Sequence, residues 1–374
     1  MKYLDEYRDG DVAKKIVGEM HRIQTRPWVL MEVCGGQTHS IVKHGIDHLL
    51  PEGVELVHGP GCPVCVTPLE MIDKAHAIAR QPNVIFCSFG DMLRVPGSDG
   101  DLFTIKSLGG DVRVVYSPLD CLKIARANPA KQVVFFAIGF ETTAPSTALT
   151  LLRAKTEGIH NFSVFCNHVT IIPAIRAILD SPDMRLDGFI GPGHVSTVIG
   201  CRPYEWIAMN ERKPIVVCGF EPLDLLQSIV MLLTQLQKGE AKVENQYKRV
   251  VPWEGNRAAL KAIAETFELR PYFEWRGLGF ISQSALRIRQ EYAEWDTEQR
   301  FQVPGIRVTD PKAAQCGEVL KGVLKPAQCK LFGKECTPEN PVGALMVSSE
   351  GSCAAYYNYE HRKANLLTSI SAPA

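Results

Sequence analysis

Short apolar runs rich in Val, Ile and Phe recur along the first two thirds of this chain. Eight read as strands, at 29–33, 54–57, 84–87, 112–116, 133–138, 162–166, 188–190 and 215–218. Helix-length segments lie between them, at 68–80, 118–127, 144–156, 170–179 and 221–238. The strands are continuously apolar rather than alternating, and helices follow them. That pattern predicts parallel sheets covered on both faces, an α/β fold. An amphipathic helix is expected over 1–25, with Leu4, Val12, Ile16, Met20 and Ile23 roughly on one side.

The eight strands read as two copies of four. A shift of 104 residues places Gly35 on Gly139, Thr38 on Thr142 and Leu122 on Leu226, and sets Pro118-Leu119-Asp120 on Pro222-Leu223-Asp224. Two similar α/β domains are therefore expected, over 26–130 and 131–240. Beyond residue 240 the pattern changes to helices near 256–267 and 286–299, a strand near Gly277-Leu278-Gly279-Phe280, and cysteine-bearing loops. Residues 241–374 are expected to form a third domain, with the last ten or so frayed.

Composition narrows the function classes. The 374 residues carry equal numbers of acidic and basic side chains, so nothing favours nucleic acid or an anionic membrane surface as a partner. The first eight residues are charged rather than apolar, and no apolar run approaches the roughly 18 residues of a membrane span. The expected setting is cytoplasmic and reducing, where clustered cysteines read as metal or redox sites rather than structural disulfides.

Four cysteines near the end, Cys316, Cys329, Cys336 and Cys353, sit in one loop-rich stretch with gaps of 12, 6 and 16 residues. Four thiolates can hold either structural zinc or an iron–sulfur cluster. Zinc sites usually contain a close pair of ligands, and these four have none, nor a histidine ligand. The spacing leans towards a four-iron cluster.

Other candidates fall at strand ends, where ligands sit in parallel α/β sheets. Cys34-Gly35-Gly36 follows the first strand. An exposed turn into a helix N-terminus there would lower the Cys34 thiol pKa. Cys62-Pro63-Val64-Cys65 follows the second strand and precedes a helix. The pair can form a reversible disulfide with its first thiol activated by the helix end, with metal binding as the rival reading. Glu141, His168, His194 and Glu221, with His39 near Cys34, could line a polar pocket, although each alone also reads as a turn or helix cap. No Walker phosphate loop occurs. Cys87, Cys121, Cys166, Cys201 and Cys218 lie in or beside apolar runs and read as core.

Taken together, these motifs resemble a known family. Cys34-Gly35-Gly36-Gln37-Thr38-His39, Gly59-Pro60-Gly61-Cys62-Pro63-Val64-Cys65, Gly139-Phe140-Glu141-Thr142-Thr143, Gly191-Pro192-Gly193-His194-Val195-Ser196, Gly219-Phe220-Glu221-Pro222-Leu223-Asp224 and Val243-Glu244-Asn245-Gln246-Tyr247 are similar to those of the HypD family. So is Gly343-Ala344-Leu345-Met346-Val347-Ser348-Ser349-Glu350-Gly351, and the likeness runs from Leu4 to about Tyr359. HypD proteins are maturation factors of nickel–iron hydrogenases. The resemblance implies two similar α/β domains and a third, iron–sulfur domain with a [4Fe-4S] cluster on Cys316, Cys329, Cys336 and Cys353. It implies a complex with HypC on which iron acquires two cyanides and one carbon monoxide, the Fe(CN)2CO unit. HypE, served by HypF, would deliver the cyanide, and the finished unit would pass to the hydrogenase large subunit. Cys34 would hold the iron with a partner cysteine, and Cys62 and Cys65 would form a thiol/disulfide pair. The residues alone leave two other readings open: an iron–sulfur disulfide reductase serving a thioredoxin-like client, and a zinc-stabilised binding protein.

Overall fold

The computed structural model describes residues 5–305 and 313–361. Leu4 of the expected helical stripe, and the tail expected to fray, lie outside the described residues. All eight expected strands form: β1 (Trp28–Glu32), β2 (Val54–His58), β3 (Val84–Ser88), β4 (Asp111–Val114), β5 (Gln132–Gly139), β6 (Phe162–His168), β7 (Gly188–Pro192) and β8 (Ile215–Cys218). A ninth, β9 (Val243–Asn245), was not anticipated. All five expected intervening helices form, for example Ala144–Thr156 and Pro222–Gln237.

The strands are not sorted as consecutive fours. One parallel sheet has the order β2-β1-β7-β8-β9 and the other β4-β3-β5-β6. The chain accordingly divides into two compact units, each built from separated segments. The first holds residues 1–62, 175–256 and 311–374, and the second 63–174 and 257–310. These units cut across the expected blocks 26–130, 131–240 and 241–374, and the cysteine-bearing segment groups with the first unit.

The internal likeness nevertheless has a structural counterpart. In the first sheet β2-β1-β7-β8 has the same layout as β6-β5-β3-β4 in the second. That layout makes β1 correspond to β5 and β8 to β4. Gly35 and Gly139 then fall at equivalent strand ends, and Pro118 and Pro222 start equivalent helices. The repeat is real in layout, but the order in which its halves occur along the chain differs between the units.

In each unit the continuously apolar strands are buried by helices. Leu30, Leu56, Ile190 and Val216 pack with Leu226, Ile229 and Leu233 of the Pro222–Gln237 helix. Ala13, Ile16, Val17 and Ile23 of the Gly10–Ile23 helix join this core around the fully buried Met20, whereas Val12 of the expected stripe is exposed. In the second unit Phe135, Phe162 and Val164 pack with Leu151 of the Ala144–Thr156 helix.

The segment after residue 256 departs from expectation at one point. The helix expected over 286–299 is instead β13 (Leu286–Ile288), a short 3-10 stretch (Gln290–Trp295) and one helical turn (Thr297–Arg300). Leu286 and Ile288 are buried on either side of exposed Arg287, a period-two pattern that suits a strand. Trp295 then donates its indole N–H to the Ile159 carbonyl at 2.8 Å, so tertiary burial overrides helical propensity. β10 (Phe267–Leu269) pairs antiparallel with β13, and β11 (Tyr272–Trp275) with β12 (Gly279–Ser282), the strand expected near Gly279.

Polar groups also tie the first unit together. Asp224 is fully buried and accepts from both guanidinium nitrogens of Arg249 (2.8 and 2.5 Å) and from Gln246 Nε2 (2.8 Å). The Arg249 guanidinium lies over the rings of Tyr7 and Tyr247, 4.1 and 4.5 Å from their centroids. Replacing Asp224 by Ala leaves Arg249 without its carboxylate, although that arginine keeps some contact with water. The expected loss is about 2–3 kcal/mol of stability, measured as a lower urea midpoint.

Candidate functional site

Order β2-β1-β7-β8-β9 sends the chain outward from β1 in one direction and from β7 in the other. The carboxyl ends of β1 and β7 therefore flank a topological switch point, where parallel α/β sheets place ligands. Cys34 sits there, as the N-cap of the Gly35–His44 helix. Gln37 on the first turn donates its side-chain amide to the carbonyls of Gly191 at 3.0 Å and Cys218 at 2.9 Å, so the helix is tied across the ends of β7 and β8.

The sequence suggested an exposed, activated thiol at Cys34; the structure corrects this. Cys34 is only 6% exposed, and burial together with the Glu32 carboxylate pushes its thiol up to about 12, outweighing the backbone N–H groups of Gly36 and Gln37. As the metal-free protein stands, the thiol is held protonated, and a bound cation would be needed to favour the thiolate.

Three stretches of chain converge on this turn. The Gly35 N–H donates to the Gly61 carbonyl at 3.2 Å. A Cβ on Gly61 would lie 2.6 Å from the Cys34 carbonyl carbon, so only glycine lets the Gly59–Cys62 stretch approach so closely. On the other side a Cβ on Gly35 would lie 2.6 Å from the Glu350 carbonyl oxygen. Cys218, expected as a core cysteine, is fully buried. Burial pushes its thiol up, and Cys34 is among the neighbours that raise it further.

Under the turn lies a group that the motif reading missed. Glu32 ends β1 and His58 ends β2, and the parallel register sets them side by side. Both are essentially buried, at 0% and 2% exposure. Glu32 accepts from the Cys34 N–H at 2.8 Å, from the Thr38 hydroxyl, and from His58 Nδ1 at 2.7 Å. His58 Nε2 is then left to accept from the Tyr356 hydroxyl at 2.9 Å. The available signal was a charged residue at the buried end of an otherwise apolar strand.

Cys62 and Cys65 are disulfide-bonded, while the other ten cysteines form no disulfide. Cys62 is 3% exposed and Cys65 is fully buried. The following helix begins only at Leu69.

Cys316, Cys329, Cys336 and Cys353 all line one small cavity, with Val319, Leu331, Phe332 and Met346 as apolar walls. Gly343 closes it: its N–H donates to Cys336 Sγ at 3.3 Å, and a Cβ there would lie 2.6 Å from Cys316 Sγ. Burial raises the Cys353 thiol well above its ordinary value, and the three other cysteines push it further. Among the described residues no group of three or more His, Cys, Asp and Glu side chains is arranged to hold a metal ion.

The five residues suggested as a pocket are divided between the units. In the second, Glu141 follows β5 and His168 ends β6, the neighbouring strand of that sheet. In the first, His39 Nε2 and the Tyr359 hydroxyl share a hydrogen bond at 2.9 Å, His194 stacks on Phe220 with centroids 3.9 Å apart, and Glu221 pairs with Arg8 at 2.6 Å. Glu221 also caps the Pro222–Gln237 helix. Cys87, Cys121, Cys166 and Cys201 are buried, as expected of core residues.

These features define a class, a parallel α/β protein with thiols grouped at a strand switch point and around one cavity. The sequence matches the family model described as "HypD: Hydrogenase formation hypA family" over residues 11–360, and the chain belongs to the HypD family. It is 55% identical over 370 residues to the hydrogenase maturation factor HypD of Rhodobacter capsulatus, covering 96% of this chain and 98% of that protein. With the hydrogenase maturation factor HypD of Escherichia coli (strain K12) it shares 51% identity over 370 residues, 97% of this chain and 99% of the relative. The hydrogenase expression/formation protein HupD of Azotobacter chroococcum mcd 1 is 51% identical over 371 residues, 97% and 98% of the two chains.

Burial gives the second unit opposing pH dependences. Glu141 is pushed up to about 7 and accepts the Ile171 N–H at 3.0 Å, while His168 is pushed down to about 4. Between its unfolded value and pH 7, folded Glu141 keeps a proton that the unfolded chain gives up, so its contribution to stability falls as pH rises. His168 does the reverse, its contribution falling as pH drops from about 6.5 to 4. Glu141→Gln keeps an acceptor for Ile171 and cannot ionise. The loss of stability from pH 5 to 8 that belongs to Glu141, up to about 3 kcal/mol, should vanish in paired denaturation curves of variant and wild type.

Proposed function

We propose that this chain is a hydrogenase maturation factor, a redox-active scaffold on which the Fe(CN)2CO unit of a nickel–iron hydrogenase is assembled with HypC. The observation that carries this reading is the convergence of the Cys34 turn, the Gly59–Cys62 stretch and Glu350 at the switch point of one sheet. Together with family membership, it supports a reading in which the Cys34 thiol, the loop leading to Cys62 and the segment around Glu350 act at one centre.

Iron is the cargo. A soft thiolate suits a low-valent iron carrying cyanide and carbonyl ligands. Cys34 would hold the iron jointly with a cysteine of HypC, releasing its proton as the metal binds. The burial that keeps the free thiol protonated also keeps water away from a bound iron. Cys62 and Cys65 would cycle between disulfide and dithiol, taking up two electrons and two protons for each bond opened. HypE, charged by HypF, would bring cyanide, and the completed unit would leave for the hydrogenase large subunit. A cytoplasmic, reducing setting suits this chemistry.

The four cysteines that line the terminal cavity suit a [4Fe-4S] cluster. Each thiolate of a cubane binds a different iron, whereas zinc ligands all lie about 2.3 Å from one ion. When bound, such a cluster supplies one-electron chemistry. Its protein ligands would be Cys316, Cys329, Cys336 and Cys353, with the Gly343 N–H directed at the Cys336 sulfur and an apolar wall that limits water.

Two outcomes test the proposal. Anaerobically purified protein is expected to hold about four irons and four sulfides per chain. Cys336→Ala should lose them and unfold the segment around the cavity at lower denaturant, because ligation energy is partly folding energy. Stoichiometric zinc without iron would refute the cluster assignment. Cys34→Ala should fold with a loss of about 1 kcal/mol, keep the terminal cluster and still bind HypC. Its complex should lack the infrared bands of iron-bound cyanide and carbonyl, and Cys34→Ser should lack them too. A complex with normal bands from either variant would remove Cys34 from the iron.

A further inference from the structure

Glu32, His58 and Tyr356 are 0%, 2% and 3% exposed. They form a continuous hydrogen-bonded chain from the Cys34 N–H through the Glu32 carboxylate and the His58 ring to the Tyr356 hydroxyl. Its far end lies on the Ser352–Tyr356 helix, three residues beyond Cys353. One end therefore grips the backbone of the thiol assigned to iron, and the other the helix that carries a cavity cysteine. Burying a carboxylate and an imidazole is unfavourable unless each polar atom is satisfied. Here the carboxylate takes three donors, and the imidazole uses both nitrogens.

We infer that Tyr356, His58 and Glu32 are positioning residues, a buried relay of hydrogen bonds through which the four-cysteine segment sets the geometry of the Cys34 turn. The inference rests on reading the four cysteines as a metal site. Loading that site orders the Ser352–Tyr356 helix, the Tyr356 hydroxyl then fixes the His58 ring, and Glu32 holds the Cys34 N–H and the Thr38 hydroxyl. Emptying the site loosens the turn. The coupling is a free energy shared by two sites and needs no change of fold.

Tyr356→Phe is a clean cut. The ring is retained, and with it the edge contact to His58 at 5.2 Å between centroids. Only the hydroxyl is lost, which leaves His58 Nε2 buried without a donor. His58→Leu removes both bonds. His58→Gln offers a donor towards Glu32 and an acceptor towards Tyr356, and so keeps the chain.

The experiment uses the full chain, first reconstituted anaerobically with iron and sulfide and then stripped by a chelator. Iron and sulfide content are measured before each reading. The reading is the rate at which a small alkylating reagent modifies Cys34, followed by mass spectrometry, with amide hydrogen exchange over residues 32–38 beside it. In the wild type, stripping is expected to raise the Cys34 rate by about tenfold, as local opening becomes easier. In Tyr356→Phe and His58→Leu the loaded protein, with unchanged metal content, should already react near the stripped rate, so that the ratio approaches one. His58→Gln should restore most of the wild-type ratio. A side chain that merely supports the fold would lower the melting temperature and leave the ratio alone. A wild-type ratio in both Tyr356→Phe and His58→Leu would overturn the inference. Wild-type protein that takes up no iron would refute the metal-site reading instead, and the metal analysis tells that result apart.

Discussion

A carboxylate without contact with water organises the centre of the first unit. Glu32 sits at the end of β1, where the sheet's strand order opens a crevice, and its charge is tolerated because three donors converge on it. Those donors come from the Cys34 turn, the helix that follows and the neighbouring strand. The hydroxyl of Tyr356 holds the same histidine from the far end of the chain. Removing the carboxylate would leave the Cys34 N–H and the His58 ring buried without that acceptor. The Cys34 backbone, the Thr38 hydroxyl and, through His58, the Tyr356 hydroxyl are all tied to that one buried carboxylate.

Burial also sets the chemistry of the thiols. A helix N-terminus alone would favour the Cys34 thiolate, but desolvation and the adjacent carboxylate act in the opposite direction and are larger. At Cys353 the neighbouring cysteines add to desolvation in the same upward direction. Thiols kept protonated until a cation arrives are poor general nucleophiles and selective metal ligands.

The two sheets show how a repeat can be kept while its order along the chain changes. β1 and β5 begin equivalent halves, yet β1 and β2 precede their sheet's other pair, whereas β5 and β6 follow theirs. The chain can do this because every connection between parallel strands must cross over the sheet, and a long crossover can accommodate an entire second unit. The cost of closing so long a loop grows only slowly with its length.

Much of the fold was legible in the residues themselves. Apolar runs such as Val133 to Ile138 and Ile215 to Cys218 can be strands only if both faces are covered, so the strands, most helices and the parallel α/β class follow from local pattern. The four terminal cysteines read as one group because they share a loop-rich stretch, and in the structure all four line one cavity. Pattern carries no information about which strand pairs with which. That β1 lies beside β7, putting Cys34 at a switch point, was decided by the tertiary structure. So was the burial of Cys34, which reversed the expected direction of its pKa, and the division of Glu141 and His168 from His39, His194 and Glu221. The link from Glu32 through His58 to Tyr356 spans some 300 residues of sequence. Hydrogen bonds and desolvation act through space, and only the folded chain brings those three side chains together.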